Sequence, residues 1–113
     1  MLKLALVFFI MAALLGLFLA SFLLRKLDTP KAVSILHGLF AATGLVILII
    51  TASIYPQWLL WLSVIVFVMA AMGGGLVLYK DLTGKSVPVA LILMHASGAL
   101  IGICLVIYVF LHR

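Results

Sequence analysis

Residues 32–54 read AVSILHGLFAATGLVILIITASI. The stretch contains no Asp, Glu, Lys or Arg. A helix crossing a bilayer needs roughly 20 mostly apolar residues in succession, and this run supplies them. Three other runs, 4–24, 58–79 and 87–111, have the same character. Hydrophobic residues make up 69% of the 113-residue chain, with seven basic and two acidic residues. A water-soluble domain carries about 25% charged residues, so lipid is the expected solvent. The predicted fold is all-α: an integral membrane, up-down-up-down four-helix bundle forming a single domain over residues 1–113.

The first run has Lys3 before it and small residues, Ala20 and Ser21, near its end, as a signal peptide does. A signal peptide's apolar region spans roughly 7–15 residues, and this run is longer, so a retained helix is expected. A single cysteine, Cys104, forms neither an internal disulfide nor a thiolate cluster and reads as a small core residue.

The net charge of +5 does not describe a nucleic-acid surface, because the charges flank helices. Arg25, Lys26 and Lys31 surround the first connection, and Lys80 and Lys85 surround the third. The second connection, Tyr55-Pro56-Gln57, is uncharged. The positive-inside rule places connections one and three in the cytoplasm and both termini outside. A bacterial cytoplasmic membrane is the expected location. Thr29 is expected to cap the second helix, Pro30 to occupy its first turn and Pro88 to lie just inside the fourth. Small residues at Ala12, Gly16 and Ala20, and at Ala71 and Gly75, predict close helix packing. Gly73-Gly74-Gly75 fits that packing, a local distortion or a flat ligand against the backbone.

Two ionisable residues interrupt the apolar runs, His37 and His95. Each is followed by Ala at plus four and Gly at plus seven: Ala41 and Gly44, then Ala99 and Gly102. Residues at these offsets share a helix face. Phe40 and Gly98, at plus three, lie on the same faces. The repeated pattern is consistent with a duplicated helical hairpin. An ionisable residue within a membrane span is a functional-site candidate. His37 lies six residues beyond Lys31, about 9 Å along a helix, and His95 lies seven beyond Pro88. Both helices enter from one side, so the two rings are expected at one level across the core. Small residues beside each ring leave a groove for another helix or for a cofactor.

A flat macrocycle whose metal is ligated above and below fits such a pair. Haem b, with His37 and His95 as axial iron ligands, is the expected cofactor. Phe40, Ala41, Gly44, Gly98, Ala99 and Gly102 are the expected surroundings, with Arg25 and Lys31 among the cations available to the propionates. No C-x-x-C-H motif for covalent haem is present. In this placement of histidines and glycines the chain resembles the membrane-embedded b-type cytochromes, which hold haem between histidines of a four-helix bundle. The resemblance implies electron transfer or redox and haem handling, with a quinone or redox protein as partner. Those cytochromes often hold two haems on four histidines, whereas this chain offers two; His112 stands at the outer terminus. Further copies of the chain and the lipid bilayer complete the expected partners, and no nucleic acid is among them.

Other readings stay open. The histidines can serve as interhelical hydrogen bonds, relay protons in a small transporter, or belong to a structural accessory subunit. Drug–proton antiport of the small multidrug-resistance kind needs a carboxylate in the first helix, and here the only acids, Asp28 and Asp81, fall in connections. Met72 lies at a similar depth and is an alternative axial or copper ligand; it also reads as core filler. No hydrolytic signature is present.

Overall fold

A proline stands at or near each later helix start, where its missing N–H and its restriction on the preceding residue end one helix and permit the next. In the computed structural model, which describes residues 1–113, the chain forms four helices and no strands. They are α1 (Leu2–Leu24), α2 (Lys31–Ile54), α3 (Trp58–Leu82) and α4 (Val89–His112). All four are long and apolar enough to cross a membrane. The first, second and fourth follow the expected bounds within about two residues, the usual uncertainty of a helix end.

The third helix runs three residues further than expected, which takes Lys80 and Asp81 out of the connection and into α3. Pro30 and Pro88 are themselves the N-cap residues in extended conformation, so Pro88 lies just outside α4. Thr29 does not cap α2. Its hydroxyl donates to the Asp81 carboxylate and accepts from the Lys31 ammonium at 3.0 Å, a charged donor that takes the place of a backbone amide.

Neighbouring helices α1 and α2 pack together most extensively, as do α3 and α4; α1–α4 and α2–α3 contacts are thinner, and the diagonal pairs meet only through side chains. The molecule is therefore two hairpins side by side. Adding 58 to a residue number in the first hairpin gives its structural counterpart in the second. Phe9, Ala12, Gly16, Pro30, His37, Ala41 and Gly44 thus match Phe67, Ala70, Gly74, Pro88, His95, Ala99 and Gly102. Even the turns match. Lys26 and Gly84 take positive φ, 57° and 71°. The following amides, of Leu27 and Lys85, reach back to the carbonyls of Phe22 and Lys80, closing each helix with a Schellman turn.

The best-packed core lies in the half of the bundle that holds the termini, around Leu2, Phe9, Leu48, Leu60, Phe67 and Val106. Phe9 and Phe67 stack across the α1–α3 diagonal, with centroids 3.9 Å apart and planes 5° apart. Each ring fits over a glycine of its own hairpin partner, Phe9 over Gly44 and Phe67 over Gly102. The outward surface is apolar, with Leu17, Met72 and Met94 among its most exposed residues. Met72 is 71% exposed, so it faces away from the bundle interior. Cys104 is exposed as well, in contrast to the core role expected of it.

Candidate functional site

Beyond the phenylalanine stack, toward the basic connections, the bundle opens into a cavity of about 460 Å³. His37 from α2 and His95 from α4 enter it across the second diagonal. Their ring centroids are 6.1 Å apart and their planes 86° apart. The two rings thus share one level, as the matched depths predict.

Each ring is held the same way. His37 Nδ1 lies 2.8 Å from the carbonyl oxygen of Ala12, and His95 Nδ1 lies 2.7 Å from that of Ala70. A carbonyl only accepts, so Nδ1 carries the hydrogen and donates in both rings. In the neutral imidazole the lone pair is then left on Nε2, the tautomer of a metal-ligating histidine anchored by its other nitrogen. The accepting carbonyls are reachable because of glycine. A helical carbonyl points toward the residue four positions on, here Gly16 and Gly74. A Cβ on Gly16 would stand 3.0 Å from His37 Cε1, and one on Gly74 would stand 2.6 Å from His95 Cε1. The flat group lying against Gly74 is thus the His95 ring, and α3 continues through Gly73-Gly74-Gly75 without a break.

Ala41 and Ala99 line the cavity beside the histidines, with Ala12, Ala13, Ala70 and Ala71 opposite. Gly44 and Gly102 lie behind Phe9 and Phe67, so their grooves hold aromatic rings of neighbouring helices. Phe40 packs against Phe8, with ring centroids 5.8 Å apart, and Gly98 packs against Ala70. Arg25 folds back onto Ser21 and Phe22 of its own helix. Of the expected surroundings, Phe40, Gly44, Gly98, Gly102 and Arg25 thus do not line the cavity. Lys31 does not line it either, but it pairs with Asp81, which does, at 3.0 Å.

That pairing forms the polar edge of the cavity. The Asp81 carboxylate receives the hydroxyl of buried Thr29 and the ammonium of Lys31. It joins the first connection to the end of α3 and is the chain's only ion pair. The repeat breaks here: the counterparts of Thr29, Lys31 and Asp81 are Val87, Val89 and Leu23.

No three His, Cys, Asp or Glu side chains converge, which leaves zinc short of its usual three or four protein ligands. The carbonyl anchors and the phenylalanine stack are not readable from the residues around the histidines, whereas Gly16 and Gly73-Gly74-Gly75 stand out in the sequence without their histidine partners. The signal that reveals them is the 58-residue self-match, Phe-x-x-Ala-x-x-x-Gly at residues 9–16 and again at 67–74.

No known family profile matches the chain, and neither a characterised protein nor a solved structure shows significant similarity to it.

Proposed function

We propose that this chain is an integral membrane protein that holds one b-type haem between His37 and His95. The observation that carries the reading is the paired anchoring: two rings 6.1 Å apart, each with Nδ1 committed to a carbonyl and Nε2 left free. The cavity volume falls within the roughly 300–1,000 Å³ usual for ligand sites, and its lining is largely apolar. At its polar edge Lys31 is paired with Asp81, so a propionate there would share that ammonium with the Asp81 carboxylate. When bound, the iron supplies one-electron redox chemistry. The chain's own part is to present two neutral imidazoles, exclude water with an apolar wall and hold the polar edge with Lys31.

The membrane reading rests on four long apolar helices and an apolar exterior. In an up-down-up-down arrangement with the basic connections cytoplasmic, the cavity lies in the cytoplasmic half and the phenylalanine stack in the outer half. Electron transfer or haem handling, with a quinone or redox protein as partner, suits such a site. A proton-relay transporter is the second reading, favoured by Asp81 at the cavity edge. Protein extracted gently from membranes separates them. The haem reading expects pigment at one haem per chain. Colourless protein that refuses added hemin yet supports histidine-dependent proton flux in liposomes contradicts it.

A further inference from the structure

The cavity has two flanks, and the repeat makes them comparable. On α2, Phe40 and Gly44 face α1, so Gly38 and Ala42, turned about 100° per residue from those positions, border α3. On α3, Gly73 and Gly74 face His95 of α4, so Ala71 and Gly75 border α2. All four are exposed and line the cavity. An added Cβ at Gly38 or Gly75 meets nothing within 4 Å. At the level of the histidines the flank between α2 and α3 is therefore framed by Gly38, Ala42, Ala71 and Gly75, with Leu45 and Leu78 lining the cavity a turn further along each helix.

The other flank, between α1 and α4, carries the counterparts Ala96, Leu100, Ala13 and Leu17. Two leucines replace a glycine and an alanine there. The polar cluster is also one-sided. Thr29, Lys31 and Asp81 tie the cytoplasmic ends of α2 and α3 together, whereas Val87, Val89 and Leu23 stand at the equivalent places. The α2–α3 flank is thus a preformed window with a polar sill, and the α1–α4 flank is a leucine-covered seam. Beyond the cavity, the Phe9–Phe67 stack closes the axial route toward the termini.

We propose that the ligand enters and leaves the histidine cavity sideways from the lipid, through this window between α2 and α3. The ligand it suits is a flat amphiphile with one polar edge, whose apolar body passes the small side chains while the polar edge stays beside the Thr29, Lys31 and Asp81 cluster. The identity of that ligand as haem rests on the function proposed above; the route does not.

The test narrows one flank at a time in protein reconstituted into liposomes. Gly75→Leu with Ala42→Leu gives the window the leucines of the other flank, and a Cβ at Gly75 meets nothing within 4 Å. Leu17→Phe with Leu100→Phe adds comparable bulk to the α1–α4 seam. Hemin uptake by apoprotein is expected to slow severalfold in the first variant and to keep its rate in the second. A second readout needs no haem: in Cys104→Ala with Ala99→Cys, labelling by a membrane-soluble maleimide reports access to the cavity. It is expected to slow severalfold with the same pair only. Equal labelling rates in both variants, or slowing in the seam variant alone, overturns the window. Hemin refused by the unmodified chain, with labelling still governed by the window pair, overturns the haem reading and leaves the route standing.

Discussion

His37 and His95 lie on diagonal helices with ring centres 6.1 Å apart and planes nearly perpendicular, and each is fixed by a carbonyl 25 residues earlier in the chain. An isolated interhelical hydrogen bond explains one such ring, at about 0.6–2 kcal/mol. It gives no reason for two anchored rings to meet over a cavity. Two half-sites related by an internal repeat, each giving one imidazole, one carbonyl and one glycine, do give that reason. The first hairpin repeats as the second, and the candidate site lies where they meet.

The glycines beneath the rings are expected to tolerate substitution unequally. Gly74→Ala places a Cβ 2.6 Å from His95 Cε1. The ring must tilt off its anchor, at an overpacking cost of about 1–3 kcal/mol. Gly75→Ala, one residue on, meets open space and gains helix propensity of up to about 1 kcal/mol. Thermal unfolding in detergent should lower the midpoint for the first and keep or raise it for the second. The same response from both would contradict the described packing of His95.

Phe9 and Phe67 stack on one another, so their truncations are expected to be non-additive. Each single change to Ala costs about 3–5 kcal/mol as a large buried side chain. The double variant should cost less than the two together, because the second loses a partner already gone. Additive losses would argue against the stack.

At the cavity edge, Asp81→Leu leaves the buried Thr29 hydroxyl without its acceptor, at about 1–3 kcal/mol. Adding Thr29→Val is expected to recover much of that loss. The combination installs the residue types found at the repeat-equivalent places, Leu23 at the end of α1 with Val87 before α4. Denaturation of the single and double variants measures the recovery. No recovery would mean that Asp81 acts through Lys31 rather than Thr29.

Lys26 holds a left-handed conformation that Gly84 adopts in the second hairpin. A non-glycine residue there bears a strain of roughly 1–2 kcal/mol, so Lys26→Gly should raise the unfolding midpoint by relieving it. A lowered midpoint would show that the Lys26 side chain contributes more than the strain costs.

The four helices were legible because runs of apolar residues of this length have few other solutions, and prolines mark the later starts. The histidine pair was legible because ionisable groups stand out in such runs and equal depth follows from equal spacing. The filling of the grooves was not. A glycine beside a histidine in sequence reads as space for a cofactor, yet at Gly44 and Gly102 the space is taken by phenylalanines from neighbouring helices. Helix neighbours of His37 and His95 say nothing of what faces them, and the carbonyl anchors belong to α1 and α3. Asp81 was placed in a connection because a charge reads as a helix boundary; its two partners, Thr29 and Lys31, let it remain inside α3 at the cavity edge.

The most direct test of the paired-histidine site is a hemin titration of detergent-purified apoprotein, followed by absorbance, for the unmodified chain, His37→Ala and His95→Ala. The account predicts saturation at one haem per chain, with a Soret band that sharpens and shifts on reduction. Either alanine should alter that spectrum by removing one axial ligand. A chain that takes up no hemin, or spectra that neither substitution changes, would contradict it.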